Sequence, residues 1–324
     1  MERSLRDLLE LSAVRATVHA AVAAARLRGH GNEKMADQAA VDAMRRQLNL
    51  LPIRGTVVIG EGERDEAPML FIGEKTGAKK GIDIDIAVDP LECTDLCAKD
   101  LPGAMSVIAM AEAGNILNAP DVYMEQIAIG PGYMREGIVD LDYAVDQNIC
   151  RLAKAKGVRP HEITVATLDR TRHADMIGSA RKTGASVRLR AAGNIGGIIH
   201  TCDPDATDVD LFVAYGGAPE GVLAAAALRC LGGHMQARLI LDTEEKRERA
   251  TKMGIKDLRR KYSAEDLVGG DCVFAATGVT DSSLLRGVRF TRDSIQTETV
   301  LMACGSGLIQ WVRRDHRDLK DFEL

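Results

Sequence analysis

Residues 82–89 carry the most regular pattern in the chain. Ile82, Ile84, Ile86 and Val88 alternate with Asp83, Asp85, Ala87 and Asp89. Period-two alternation predicts a half-buried strand, its apolar side inward and its acidic side toward water. Pro90 has no N–H to give to a ladder, so the strand is predicted to stop there, with Asp89 at its carboxyl end. Upstream, Leu5, Leu8, Leu9, Leu11 and Val14 recur at helical spacing, and an Ala-rich stretch extends that helix over 1–28. Gly29-His30-Gly31-Asn32 breaks it; a second helix is predicted over 36–48, with Pro52 closing the region. A strand at 56–59 runs straight into GEGERDEAP, and 105–110 is a further apolar run closed by Glu112-Ala113-Gly114-Asn115.

From about residue 160 strands and helices alternate. ITVATLD (163–169) reads as a strand, 173–183 as a helix ending at Gly184, and SVRLRAA as a strand. GNIGGIIHT follows as turn and helix, then VDLFVAY (209–215) as a strand entering GGAPEG and the helical VLAAAALRCL. This series implies an α/β layer. SAED (263–266) has the form of a capping box, 241–262 that of a charged surface helix, and 297–303 with 308–314 that of a hairpin around CGSG. The change of pattern suggests an N-terminal half, 1–155, and a C-terminal half, 156–324.

Composition narrows the class. Apolar residues make up 46% and aromatics only 3% of 324 residues, so the core must be built from Ala, Val, Ile and Leu. A net charge of −5 argues against a nucleic-acid partner. The charged N-terminus lacks a signal-peptide core, and no apolar run is expected to reach the roughly 18 residues of a membrane span; a cytoplasmic protein without a membrane partner is expected. Seven scattered cysteines with no C-x-x-C pair argue against a disulfide framework or a structural zinc site.

The candidate chemistry is acidic. Asp37 opens the second helix, while Glu61 and Glu63 in GEGERDEAP, Asp89 and Glu92 in DPLECT, and Glu220 in GGAPEG lie on turns that follow apolar strands. Each alone would be ordinary solvated surface. Gathered at strand ends they would repel one another unless cations neutralised them. Oxygen ligands of this kind suit Mg²⁺, with coordination positions left open for water and phosphate, as in phosphoryl transfer or hydrolysis.

GEGERDEAPMLFIGE, DIDIAVDPLECT, NAPDVYMEQI, TRH and GGAPEGVLAAAALRCLGG together resemble the class II fructose-1,6-bisphosphatases of bacteria, some of which also take sedoheptulose-1,7-bisphosphate. The resemblance runs from about Gly29 to Val312. It implies an α/β (α+β) chain folded as the layered αβαβα sandwich of the sugar and inositol phosphatases. It implies Mg²⁺ or Mn²⁺ held by Asp37, Glu61, Asp89, Glu92 and Glu220, with Glu61, Asp89 and Thr94 catalytic and Thr94 positioning the attacking water. It also implies a sugar bisphosphate held by Glu92, Thr94, Tyr123, Arg170, Arg172, Gly193, Asn194 and Gly217, in a homodimer or homotetramer.

Three stretches depart from the family pattern. Cys93 stands where glycine is usual, which would strain the backbone if φ is positive. Ala192-Gly193-Asn194 replaces Asp-Gly-Asp, whose aspartates bind sugar hydroxyls in the family. Glu33 stands where lysine is common. DPLECT itself reads as a metal turn and not a thiol site, because Cys93 lacks the C-x5-R spacing of a cysteine phosphatase. The departures leave two alternatives open: a phosphatase of another phosphorylated polyol or nucleotide, and a weakly catalytic sugar-phosphate-binding protein. If they weaken catalysis, the combined changes Cys93→Gly, Ala192→Asp and Asn194→Asp are expected to raise activity.

Overall fold

A computed structural model describes residues 1–62, 69–133 and 137–322. The chain divides into two compact units, Met1–Leu117 with Gly269–Leu324, and Asn118–Val268. The first opens with helices α1 (Arg3–Ala25) and α2 (Glu33–Asn49) and continues through β1 (Arg54–Ile59), β2 (Lys75–Thr76), β3 (Asp83–Glu92), α3 (Thr94–Ala98) and β4 (Met105–Glu112). The second holds β5 (Tyr123–Ile129), α4 (Val145–Lys156), β6 (Thr164–Leu168), α5 (Ala174–Lys182), β7 (Ser186–Arg190) and α6 (Asn194–Ile199). It goes on through α7 (Pro204–Thr207), β8 (Leu211–Gly217), α8 (Ala218–Leu231), β9 (His234–Leu239), α9 (Glu244–Lys252), β10 (Tyr262–Ser263) and α10 (Ala264–Leu267). The chain then returns to the first unit as β11 (Cys272–Gly278), β12 (Arg289–Phe290), β13 (Ile295–Ala303) and β14 (Leu308–His316).

The first unit's sheet has eight strands in the order β12-β13-β11-β4-β3-β1-β2, with β14 also paired to β13; the second has six, β10-β9-β5-β8-β6-β7. Two mixed sheets with their helices bear out the α/β class. The expected division near 155 instead falls inside α4, within the second unit. The first unit is discontinuous because β11 pairs with β4, Cys272 to Gly278 against Ala111 to Met105. Which distant strands pair is not encoded in local pattern.

Helix α1 covers the first sheet. Val14, Val18 and the run Ala20–Ala25 are buried against β4, β11 and β13, and the small alanine side chains permit a close approach. At 23 residues this helix is long and apolar enough to cross a membrane by length and composition, which corrects the expectation that no segment would be. Most of it is buried inside the unit, as in the core helix of a soluble fold.

Strand β3 departs from its pattern in two ways. It does not stop at Pro90 but continues to Glu92, because the proline sits where the register with β4 shifts, between Asp89 and Glu92. A bulge there removes the demand for a ladder N–H. Its acidic face is also covered in part: Asp83 stays exposed, but Asp85 is buried and accepts the backbone N–H groups of Gly114 (2.7 Å) and Ile116 (3.3 Å). The capping box at Ser263, with Asp266 reciprocating, and the antiparallel hairpin β13–β14 form as expected. The charged 241–262 segment carries the nine-residue α9. Strands β5, β9 and β11 and helix α4 had no counterpart among the expected elements.

Burial has a consequence for pH. Loss of solvent, then the nearby Arg15, pushes His19 in α1 down to about 4, and burial with Arg190 pushes His200 down to about 4. In the unfolded chain a histidine takes up its proton near 6.5. The folded state resists that proton, so stability is full above about 6.5 and falls as pH drops toward about 4. Urea midpoints should therefore decline between pH 6.5 and 5, above the range of most carboxylates, and His19→Gln should flatten that slope.

Candidate active site

The expected carboxylates of the first unit are found as two close pairs, Asp37 with Glu61 and Asp89 with Glu92. Strands β1 and β3 run parallel, with Ile59 opposite Ala87. Glu61 follows the end of β1 and Asp89 lies near the end of β3, each two residues beyond that pair. Asp89 and Glu92 are three residues apart, which in an unbroken strand would send their side chains to opposite faces. The bulge adds one residue on β3 between Asp89, opposite Val107, and Glu92, opposite Met105. The two side chains consequently share a face, with carboxylate oxygens within 4.8 Å.

Asp37 joins from the first turns of α2, whose N-cap Asn32 accepts from Met35 N. Burial pushes the Asp37 carboxyl up, and a side-chain hydrogen bond with Glu61 opposes that shift. A hydrogen bond between two carboxyl groups needs a shared proton. A divalent cation would take its place, and the all-oxygen donor set of Asp37, Glu61, Asp89 and Glu92 fits Mg²⁺ or Mn²⁺. Glu92 is buried while Asp37, Glu61 and Asp89 are half-buried, which limits their solvation and raises the need for a counter-ion. Glu63, like the rest of 63–68, lies outside the described residues.

Thr94 follows at the first position of α3, half-buried and two residues past Glu92. Between them Cys93 has φ 66° and ψ 57°, the left-handed conformation the glycine comparison raised. Its carbonyl accepts from Leu96 N and Cys97 N, which fixes the turn that opens α3. Exposed Glu33 lies in the first turn of α2, where the helix end favours its negative charge.

The second unit gathers the other expected residues at one end of its own sheet. Strands β6, β7 and β8 are parallel, so Arg170 and Arg172, Gly193-Asn194 and Gly217 all follow carboxyl ends on the same side. Strand β5 is antiparallel to β8, and its first residue, Tyr123, pairs with Gly217. The Arg172 guanidinium lies 4.5 Å from the centre of the Tyr123 ring and donates Nε and Nη2 to the Tyr215 carbonyl at 3.1 Å each. That leaves Nη1 for a ligand. Arg170 is exposed and donates to its own neighbour's carbonyl, Asp169 O, at 3.0 Å.

Next to Arg172, His173 is buried and structural. Its Nε2 accepts from Tyr215 N (2.9 Å), so its proton is on Nδ1, donating to Leu168 O (2.8 Å), and burial holds its pKa down. Glu220 lies in the first turn of α8, a 14-residue helix whose N-terminal end favours a carboxylate. A Cβ on Gly217 would collide with the Glu220 carboxyl group, so only glycine permits this approach. Asn194 is turned inward, donating Nδ2 to Gln126 Oε1 at 2.7 Å, while Ala192 has no polar atom to offer. Gln126, fully buried in β5, was not among the expected residues; nothing local marks a glutamine in an apolar strand as more than a core polar group.

The family described as "Bacterial fructose-1,6-bisphosphatase, glpX-encoded" matches residues 7–316. A protein of Synechococcus sp. (strain JA-3-3Ab) named D-fructose 1,6-bisphosphatase class 2/sedoheptulose 1,7-bisphosphatase is 41% identical over 333 residues, covering 95% of each chain. One of the same name from Synechococcus elongatus is 40% identical over 347 residues, covering 99% of this chain and 100% of that one.

The geometry at position 93 gives a direct test. Relieving a left-handed non-glycine residue gains about 1–2 kcal/mol, and the extra freedom of glycine in the unfolded chain takes back about 0.4–1 kcal/mol. Cys93→Gly should therefore stabilise the protein by about 0.5–1 kcal/mol, read as a higher urea midpoint.

Proposed function

The chain belongs to the family of bacterial, glpX-encoded fructose-1,6-bisphosphatases, a family of phosphoric monoester hydrolases, and from that premise we propose that it removes the 1-phosphate of fructose-1,6-bisphosphate, with sedoheptulose-1,7-bisphosphate as a second substrate. The reaction serves gluconeogenesis or the reductive pentose cycle. The observation that supports this reading is the bulge in β3, which turns Asp89 and Glu92 to one face with carboxylate oxygens within 4.8 Å.

Asp37, Glu61, Asp89, Glu92 and Glu220 are the residues to hold Mg²⁺ or Mn²⁺, which when bound acidifies a water and neutralises phosphate oxygens. The Thr94 hydroxyl would orient the attacking water toward phosphorus, with Glu61 and Asp89 as the catalytic carboxylates. Arg172, braced by Tyr123 and the Tyr215 carbonyl, presents Nη1 to the distal phosphate, and exposed Arg170 adds a second guanidinium. Glu92 also faces the substrate. The Gly193-Asn194 turn and Gly217 bring backbone close to the sugar. No covalent enzyme intermediate is needed, because water is the nucleophile. The proposal includes a cytoplasmic homodimer or homotetramer.

Ala192 favours one second reading, a bisphosphate of another polyol, because a methyl group cannot bind a sugar hydroxyl. A panel of phosphorylated polyols separates the two by their relative kcat/KM.

Phosphate release from fructose-1,6-bisphosphate should require Mg²⁺ or Mn²⁺, vanish in EDTA, and fall about 100-fold or more in Asp89→Asn. No turnover with either metal would overturn the reading.

A further inference from the structure

The residue at 194 does something other than face the substrate. Asn194 is 5% exposed and Gln126 is fully buried, and their amides meet in the second unit. Gln126 Nε2 donates to the Gly217 carbonyl at 3.0 Å, and Asn194 Nδ2 donates to Gln126 Oε1 at 2.7 Å. Chemistry alone fixes the orientation of both amides. A backbone carbonyl only accepts, so the Gln126 atom beside it must be nitrogen. Its oxygen then faces position 194, and whatever stands there must donate. Asparagine can donate; an ionised aspartate cannot.

The relay ends where α8 begins. Gly217 is the N-cap of α8, and Glu220 lies in its first turn. The helix also rests directly on Gln126: a Cβ at Gly221 would come within 2.7 Å of Gln126 Nε2 and 2.5 Å of Met124 Sδ. Gly216, one residue before the cap, is similarly closed in by the Asn194 amide, at 2.7 Å from a built Cβ. The first turn of α8 is thus set by Gln126 from below and by Asn194 through it. Asn194 Oδ1 is buried without a hydrogen-bond partner, so the donation to Gln126 is the bond that orients the side chain.

We propose that Asn194 and Gln126 form a buried amide relay that positions the N-terminus of α8, and with it the Glu220 carboxylate, for metal binding. Both are positioning residues; the role of Glu220 rests on the phosphatase reading above. Of the three substitutions considered from sequence, Asn194→Asp is therefore the one that should do harm, since it places an acceptor against an acceptor.

The test is Mn²⁺ affinity in the absence of substrate, followed by electron paramagnetic resonance and by calorimetry, with thermal unfolding alongside. Asn194→Asp and the volume-conserving Gln126→Met should each weaken Mn²⁺ binding about 10–100-fold, the range for loss of a group that orients a ligand. In Gln126→Met, activity should show a raised requirement for metal with a nearly unchanged kcat at saturation. The double variant Gln126→Met/Asn194→Asp should bind no more weakly than Gln126→Met alone, because removing one end of a relay removes its effect. Unchanged affinity in Gln126→Met, or losses that multiply in the double variant, would overturn the relay while leaving the phosphatase reading intact. A wild type that binds no Mn²⁺ at all would instead remove the premise and the relay with it.

Discussion

Repulsion between carboxylates is the constraint on which this protein turns. Two unit charges within 4.8 Å of each other repel by at least about 3 kcal/mol at an effective dielectric constant of 20. Side chains free to relax would move apart. Here they are held by backbone that cannot easily yield: β1 and β3 are locked in parallel register, β3 is flanked by β4 on its other edge, and α1 seals the sheet with an alanine face. The residues that bear the charge are few, and most of the first unit is the frame that keeps them together.

The second unit solves a different problem. Its polar residues come from three parallel strands and one antiparallel strand, and Arg172, His173 and Gln126 are each braced by a backbone group. Tyr215 donates its N–H to His173 and offers its carbonyl to Arg172, so one residue of β8 orients two neighbours. A neutral histidine suits that post, since a protonated ring could not accept from Tyr215. At the other side of the same strand end, Gln126 reaches the Gly217 carbonyl. The arrangement is preorganised by hydrogen bonds to main chain, which vary less with side-chain identity than contacts between side chains do.

Local pattern made much of this legible. Helices α1 and α2, the hairpin β13–β14 and the strand-helix series of the second unit follow from periodicity, and the acidic turns stood out because each followed an apolar strand. Pattern misled at β3, where alternation suggested an exposed acidic face and Pro90 an end. Both expectations neglected tertiary structure: Asp85 finds two backbone donors in a loop about 30 residues on, and a bulge admits the proline. Membership of a unit was also hidden, because β11 resembles any other short apolar run until β4 is seen beside it. The departure at Asn194 was visible as a change of residue type, but its meaning depended on Gln126, which nothing in sequence connects to it.

The return of the chain to its first unit bears on how the protein is made. Residues 118–268 form a unit whose strands all lie within one continuous stretch, so it has every contact it needs once that stretch has left the ribosome. The first unit must wait: β4 has no partner on its β11 edge until residue 278 has been synthesised, and β13 and β14 come later still. During that interval the apolar edge of β4 and the alanine face of α1 are exposed, which makes the N-terminal segment the part of the nascent chain most in need of a chaperone.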